Sequence, residues 1–555
     1  MRLIRNFALL FACTLFIQTF GQQKLDQGEK LKEMMRLINS YYTDTVDNEK
    51  IANAAIVKML EELDPHSTYI VQKDVKRNEE PLVGNFDGIG VTFQIWKDTI
   101  MINEVISGGP SQKVGLMEGD RIVKINDTVV ANIKIENEGV IKRLRGPKGT
   151  QVKVGVVRRS AKGLLEFTIT RDKIPVYSVE ASYMAAPGIG YIKVVRFSAT
   201  TMNEFRQAME KLKAQGMESL IMDMEGNSGG YLTTAIQLCN EFIPNEKEPI
   251  VYTEGVHSKK EEYFSDGRAS FPKGKLVVLI DEGSASAAEI YSGCMQDLDR
   301  AIIVGRRSFG KGLVQKPFGF ADGSLVRLTV AHYYTSSGRC IQRPYNEGKK
   351  DYYDEYSKRL KSGELFGADT THFPDSLLFY TKNKRKVFGG GGVVPDVFIP
   401  IDTSVNSEYY QQIRRKGVLN NFCTEYVDVN RSKLKEQYPT AEQFVMNFDP
   451  KKEVIDLLFA KADKDSITRD SAQIARSMPL FLNQTKSLIA RNLFDNNTFW
   501  EVANQSNTSY KKAIELINTD QFAILTPTKK EQKKVEKELK QKEKEKEKVF
   551  NKKKK

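Results

Sequence analysis

Apolar residues near the start of the chain recur at helical spacing. Leu31, Met34, Met35 and Ile38 share one face, so the stretch Leu25 to Leu63 reads as helical. It ends in Asp64-Pro65-His66-Ser67-Thr68-Tyr69, a turn segment. From Gly84 to Asp172 the period changes. Short β-rich runs follow at Gly90 to Ile95, Ile100 to Val105, Arg121 to Ile125, Val152 to Arg158 and Leu165 to Thr170, separated by turn residues. Helical patterns at Ser111 to Val114 and near Glu136 to Leu144 complete a compact β-rich module.

Between Gly188 and Pro400 strand and helix patterns alternate, which predicts an α/β core. Strands are expected at Gly190 to Val194, Leu220 to Met224, Leu276 to Ile280 and Ala301 to Val304. Thr201 and Glu204 fit a capping box that opens the helix after the first of these. Gly229-Gly230 reads as a turn, Tyr231 to Phe242 as a helix, and another helix is expected from Ala287. Asn346 to Gly392 is polar and closes on four glycines, which reads as an insertion or long loop. Ser404 to Ile524 is helical and carries no recognisable chemistry. Lys529 to Lys555 alternates Lys with Glu and ends in four Lys, the pattern of a solvated helix or disordered tail.

A chain of 555 residues is too long for one ordinary core, and its 40% hydrophobic content suffices for globular packing. The net charge of +13 is unevenly placed: the tail from Lys529 holds 14 Lys and 6 Glu. That balance argues against a nucleic-acid binder and leaves room for the basic tail to associate with an anionic membrane surface. At the other end, Arg2 and Arg5 precede a mostly apolar run from Phe7 to Phe20, and Thr19 and Gly21 supply small residues for a cleavage site. Residues 1–21 therefore read as an export signal, too short and interrupted for a comfortable membrane span, with a retained anchor as the alternative. Cys239, Cys294, Cys340 and Cys423 are widely separated, lack metal-like spacing and demand no disulfide; Cys294 falls on an apolar helix face and reads as core. No metal or organic cofactor is implied.

The sharpest chemical signal is Asp281-Glu282-Gly283-Ser284-Ala285-Ser286-Ala287-Ala288-Glu289. A buried strand runs into a small-residue turn and then a helix, which exposes Ser286 and aims backbone N–H groups at it. Alone, the pattern is also ordinary helix capping. The four histidines, His66, His257, His332 and His372, suggest no triad. Lysine is the alternative base, provided burial lowers its pKa from ~10 toward ~7–8. Lys311, between Gly310 and Gly312, is the candidate, although an isolated Gly-Lys-Gly would read as an exposed loop.

As an ordered set these segments resemble the active-site signature of the C-terminal processing peptidases, or tail-specific proteases. The set comprises Ser284 to Ile290, Val304-Gly305, Phe309-Gly310-Lys311-Gly312 and Val314-Gln315, and the family's Ser-to-Lys spacing of 25 falls on Ser286 and Lys311. The resemblance implies that Ser286 attacks, Lys311 takes its proton and Gln315 orients the lysine. Leu63 to Tyr69, Thr329 to Tyr334, Ser337-Gly338-Arg339 and Val394-Pro395-Asp396-Val397 resemble other motifs of the family, so the likeness covers roughly residues 30–400. It makes His66 a structural residue. Asp223-Met224-Glu225-Gly226-Asn227-Ser228-Gly229-Gly230 departs from the family's Asp-Leu-Arg-x-Asn-Pro-Gly-Gly at Glu225 and Ser228. Those changes bear on loop rigidity or substrate contacts, and the amides of Gly230 and Ala287 remain to form an oxyanion hole.

Asp87-Gly88-Ile89-Gly90-Val91 resembles the carboxylate-binding loop of PDZ domains, and Gly115-Leu116-Met117-Glu118-Gly119-Asp120-Arg121-Ile122 their central segment. Gly88, Ile89 and Gly90 are thus the expected contacts for a peptide carboxylate. The fold implied is an α/β, crotonase/ClpP-like spiral protease core with an inserted PDZ domain and flanking helical regions. The expected divisions are a signal at 1–21, a helical region at 22–83, the PDZ domain at 84–172, and the core at 173–403 with its insertion at about 346–392. A helical region at 404–527 and a tail at 528–555 follow. The expected protein is an exported serine endopeptidase of the periplasm or cell envelope, acting on flexible protein tails. A non-proteolytic PDZ scaffold or chaperone predicts loss of the serine or lysine, and neither is lost. Acyl-thioester chemistry on the same fold is disfavoured by the ordered Ser286, Lys311 and Gln315 set.

Overall fold

The structure is a computed structural model that describes residues 26–106, 108–159, 161–367, 373–533 and 535–537. The expected signal at 1–21, His372 and the tail after residue 537 lie outside the described residues.

Residues up to Leu63 form one unit and Asp64 onward another. In the first, the expected helical stretch is two helices, α1 (Gln27–Tyr41) and α2 (Asn48–Glu61). The break has a local cause: Tyr42 is extended, and the Asp47 side chain accepts the N–H of Lys50 at 3.0 Å, capping the second helix.

The first helix of the second unit is α3 (Gln72–Val83), ended by Gly84 in the left-handed region. The PDZ-like module follows. Its sheet has the order β1 (Val91–Trp96), β2 (Thr99–Val105), β3 (Arg121–Ile125), β4 (Gln151–Val157) and β5 (Leu164–Thr170), each antiparallel to its neighbour. Ile100, Ile102, Ile122, Val152 and Val154 pack from the sheet onto Val140 and Leu144 of α4 (Asn137–Leu144). The strands Asn85–Gly88 and Asp172–Pro175 pair antiparallel, joining the chain's entry and exit from the module.

The core sheet starts with β6 (Val179–Ala186) antiparallel to β7 (Ile189–Val194). It continues in parallel through β8 (Ser219–Asp223), β9 (Leu276–Ile280), β10 (Ile302–Gly305) and the short strand Val397–Phe398. β7, β9 and β10 are buried throughout, as their apolar runs demand of a parallel sheet covered on both faces. Helices α5 (Thr201–Ala214), α6 (Leu232–Asn240) and α7 (Ala287–Asp297) contribute to the core cluster on one face. A second sheet carries β11 (Leu313–Gly319) paired with β12 (Leu325–Thr335), and the strand Thr68–Ile70 also pairs with β12.

Two expectations need correction. Thr200, not Thr201, precedes α5, and no capping box forms. Glu204 turns away to accept from the backbone N–H groups of Ser178 and Val179 and from Thr200 Oγ1, tying the start of β6 to the helix. The segment 346–392 is not a plain loop. It holds helices Lys349–Tyr353 and Glu355–Lys361 and a hairpin of Leu378–Tyr380 with Lys386–Phe388. Its interior contacts are charged and aromatic, such as Arg307 with Glu364 at 2.7 Å, so it lacks the apolar period that announces a core element.

The C-terminal region is helical, as expected, and its helices serve two different cores. α8 (Val418–Gln437), α9 (Ser471–Leu493) and α10 (Asn496–Ala503) belong to a helical cluster centred on Phe444, Leu458 and Phe481. α9 and α10 start at side-chain caps, Asp470 and Asp495. The next helix, α11 (Thr508–Ile517), covers the other face of the core sheet, where Tyr510, Ala513 and Leu516 pack with Tyr191, Ile221 and Leu279. Cys239, Cys294, Cys340 and Cys423 are free thiols, and Cys294 is buried. Among the described residues no helix is long and apolar enough to cross a membrane, and no acidic, histidine or cysteine cluster could hold a metal ion.

Candidate active site

The site forms where β8, β9 and β10 end at their C-terminal edges, the usual ligand side of an open parallel sheet. A cleft of about 550 Å³ there is lined by Gly229, Gly230, Ser286, Ala287, Lys311 and Gln315, among others. Ser286 follows the turn after β9 and immediately precedes α7. Its φ of 55° and ψ of −114° are strained for a side chain other than glycine, a cost of about 1–3 kcal/mol that surrounding contacts must offset.

Those contacts are specific. Glu289, fully buried on the first turn of α7, accepts four hydrogen bonds: Oε2 takes the N–H of Ser286 at 2.8 Å and of Lys311 at 2.9 Å. Oε1 takes the N–H of Gly310 at 2.7 Å and the hydroxyl of Ser308. Burial pushes the Glu289 carboxyl up to about 7, against the downward pull of those four donors. From the other side, the buried Tyr333 hydroxyl lies 3.1 Å from the carbonyl of Ser286 and 2.7 Å from that of Lys311. One carboxylate and one phenol therefore fix the backbones of two residues 25 positions apart. Sequence reasoning assigned neither of them a role. Glu289 was visible only as a motif letter, and Tyr333 only as a position in a later strand.

Lys311 lies in the loop between β10 and β11. Burial lowers its pKa from the usual lysine value; the negative charges of Glu289 and Asp64 oppose that shift, and Arg327 adds to it. Its Nζ donates to Gln315 Oε1 at 3.2 Å. The Gln315 amide donates in turn to the carbonyl of His66, which orients Oε1 toward the lysine. The Asp64 turn sets that carbonyl, since Asp64 Oδ1 accepts the N–H groups of His66 and Ser67 at 2.8 Å each. No hydrogen bond joins Ser286 Oγ to Lys311 Nζ in this state. Bonds of this kind commonly tighten only when substrate is bound.

His66 meets the site through its carbonyl, while its ring packs against Tyr352 and its Nε2 lies 2.8 Å from the Tyr352 hydroxyl. Burial drives the imidazole down to about 3, and the Lys311 charge contributes in the same direction.

Gly229 and Gly230 approach Ser286 from the loop after β8. Gly230 has φ +148°, and a Cβ there would lie 2.0 Å from the carbonyl oxygen of Phe197. Asn227, fully buried, shapes the loop: it donates to the carbonyl of Val194 at 2.8 Å and accepts from the N–H of Gly229 at 2.9 Å. Among the described residues the N–H groups of Gly230 and Ala287 donate to no acceptor, and both residues line the cleft beside Ser286.

In the PDZ-like module a groove of about 370 Å³ runs between edge strand β1 and α4. Ile89 and Gly90 line it; Gly88 instead pairs with Asp172 in the entry ladder. Arg145, at the end of α4, stacks 4.0 Å over Phe86 and pairs with Glu80 of α3 at 2.5 Å.

Comparison with known proteins accords with this geometry. The model of peptidase family S41 matches residues 188–349, that of the PDZ domain residues 78–157, and that of a family of unknown function (DUF8443) residues 409–495. The carboxy-terminal processing protease CtpA of Bacillus subtilis (strain 168) is 35% identical over 341 residues, covering 60% of this chain and 72% of the relative. The chain belongs to peptidase family S41. It is a serine-type C-terminal processing peptidase with a PDZ domain. A probable CtpA-like serine protease of Staphylococcus aureus (strain COL) is 32% identical, covering 58% of this chain and 64% of that relative. The photosystem II D1 C-terminal processing protease is a solved structure 24% identical, covering 66% of this chain and 86% of that one, with a TM-score of 0.34.

The two departures from the family motif sit differently. Ser228 lines the cleft. Glu225 faces the C-terminal region: its Oε2 accepts from Asn507 at 2.9 Å, and burial with the nearby Asp223 charge raises its pKa to about 7.

Proposed function

We propose that this chain is an exported endopeptidase that captures flexible protein C-termini in its PDZ groove and cleaves them with a Ser286–Lys311 dyad. The observation that carries the reading is the convergence of Ser286, a lysine desolvated by burial and two unengaged amides on one cleft. The neutral amine of Lys311 takes the Ser286 proton as Oγ attacks the scissile carbonyl carbon. The amides of Gly230 and Ala287 donate to the oxyanion of the tetrahedral intermediate. Lys311 then returns the proton to the leaving amine. Water, deprotonated by the same amine, releases the acyl group and restores Ser286. Gln315 holds one Lys311 hydrogen, which keeps the lone pair free for Ser286.

Export rests on the sequence of residues 1–21, and an envelope or periplasmic location follows from it. The Lys-rich tail adds a means of associating with an anionic membrane surface. The test is digestion of an unfolded protein by the purified chain, with the new termini mapped by mass spectrometry. Cleavage should vanish in Ser286→Ala, and cleavage retained by that variant overturns the dyad. Amino-terminal sequencing of the mature protein from the cell envelope tests export; an intact Met1 in a cytoplasmic fraction would refute it.

A further inference from the structure

The segment matched to a family of unknown function, 409–495, touches the PDZ domain along one face of α8. Glu425, Asp428 and Arg431 follow at i, i+3 and i+6, so a single helix face presents all three. Asp428 Oδ2 accepts from Arg121 at 2.8 Å and lies 3.1 Å from Arg159. Arg431 donates to Glu118 at 2.6 Å, and Lys97 lies 3.9 Å from Glu425. The sign of the pairing reverses along the helix, acid to base at Asp428 and base to acid at Arg431, which specifies one register. The Asp428 side chain also approaches the PDZ backbone closely. Gly119 has φ +85°, and a Cβ there would come within 2.8 Å of Asp428 Oδ1.

Isolated surface ion pairs contribute little. This set differs because the Asp428 side chain is only 10% exposed and receives two guanidinium groups. Glu104 of β2 feels the same seam: burial and the Glu118 charge raise its pKa, Arg491 of the helical segment opposes that shift, and Asp495 adds to it.

The same segment leads directly into the protease core. Asn497 accepts from the N–H of Ser182 at 2.7 Å, Asn504 donates to the Tyr183 hydroxyl at 2.9 Å, and Asn507 donates to Glu225, five residues before Gly230. Lys97, Glu118, Arg121 and Arg159 are not among the groove-lining residues, so the contact leaves the peptide groove open.

We propose that the helical segment 409–495 is the docking element for the PDZ domain, fixing it to the protease core through Asp428 and Arg431 so that a captured tail is delivered to the cleft. The delivery part rests on the endopeptidase reading above; the docking part does not. Asp428→Arg in the full-length chain should increase hydrogen exchange at residues 116–121 and 425–431. It should lower kcat/KM about tenfold for a substrate with a free C-terminal tail, as expected when a partly buried charge pair is replaced by repulsion. Cleavage of a short C-terminally amidated peptide should stay unchanged. Adding Arg121→Asp should restore most of both effects. Should Asp428→Arg fail to fold, Glu118→Arg and its rescue by Arg431→Glu test the same contact at a more exposed pair. Unchanged exchange, or no recovery in the swapped pairs, overturns docking. Equal loss on both substrates, or faster cleavage of the tailed one, overturns delivery. Persistent activity of Ser286→Ala would refute the dyad while leaving the exchange result to judge docking.

Discussion

The backbone N–H of Ser286 donates to the carboxylate of Glu289 at 2.8 Å, and through the same oxygen Glu289 also holds the N–H of Lys311. A serine with φ near 55° persists only where its surroundings over-determine it. Here the carboxylate fixes both amides and the Tyr333 hydroxyl reaches both carbonyls. The separation of nucleophile and base is thus set by main-chain contacts, and Gln315 alone holds the Lys311 amine from its side-chain end.

Glu289→Gln tests that arrangement. Glutamine has one oxygen and one NH₂ group, so its NH₂ must face one of two pairs of donors, at about 1–3 kcal/mol per donor left unsatisfied. We expect kcat to fall roughly 10- to 100-fold, because small displacements of reacting groups are costly. The pH profile should move as well. The Glu289 charge raises the Lys311 pKa, so its removal should shift the ascending limb of kcat/KM to lower pH. A limb that stays in place while kcat falls would reduce Glu289 to a packing residue.

Lys311→Ala should abolish cleavage as completely as Ser286→Ala, and the double variant should be no worse than either, since the two groups act as one unit. Circular dichroism and thermal melts would show that each variant is folded. Additive losses in the double variant would contradict a dyad.

The pH dependence separates lysine from histidine. Activity requires neutral Lys311, so kcat/KM should rise with pH, with a midpoint below the ordinary lysine value of 10.5. His66 contributes no inflection near its ordinary value of 6.5, because it is held down to about 3, so any inflection near 7 belongs to Glu289 and should vanish in Glu289→Gln. The same shift predicts a stability effect. Between about 6.5 and 3 the unfolded chain binds a proton at His66 that the folded chain does not, so this residue makes stability fall as pH drops. Glu289, pushed up to about 7, tilts part of that window the other way, so wild type must be compared with His66→Phe. A melting-temperature difference that does not vary between pH 7 and 4 would contradict the burial of His66.

Much of this was legible in the chain. The strands of the PDZ-like module and β9 were outlined by alternation and by unbroken apolar runs, and the resemblance of the ordered Ser286, Lys311 and Gln315 set to a family signature pointed to three residues that line one cleft. Other features left no periodic trace. Glu289 and Tyr333 act through backbone groups, which no side-chain pattern reports. The segment 346–392 is held by buried ions and aromatic rings such as Arg307 and Tyr352, which read as loop composition. The cover that α11 gives the core sheet is a long-range pairing of two ordinary amphipathic patterns, and nothing local indicates which face meets which.

Gly230→Ala probes the oxyanion loop. Its φ of +148° is costly for any side chain, and the added methyl would lie 2.0 Å from Phe197 oxygen, so the backbone must shift. We expect a loss of at least about 2 kcal/mol in urea unfolding and a larger proportional loss of kcat than of substrate affinity. A variant with normal kcat would remove the Gly230 amide from the mechanism.

The PDZ groove makes the last test. Edge strand β1 pairs on one side with β2 alone, so its other edge faces the groove toward α4. At the loop before it, the carbonyl of Ile89 accepts from the N–H and hydroxyl of Ser111 at 3.0 and 2.6 Å. The carbonyl of Gly90 accepts from the N–H of Ile106 at 3.0 Å. With both carbonyls engaged, the N–H groups of Ile89 and Gly90 have no acceptor among the described residues, an arrangement suited to a peptide carboxylate. A tail peptide with a free carboxylate should therefore bind more tightly than its amide. Losing one charge-assisted contact corresponds to about 1.5–3 kcal/mol, or roughly tenfold to a hundredfold in Kd. Replacing Gly90 by Val should reproduce the defect, because φ is +78° there and a Cβ meets Ile174 at 3.1 Å and Pro110 at 3.3 Å. Neither change touches Ser286, so cleavage of a short amidated peptide should persist in Gly90→Val. Calorimetry on the free acid and the amide of one tail, with cleavage rates for both, decides the matter: equal affinities would remove the carboxylate reader and leave the dyad standing.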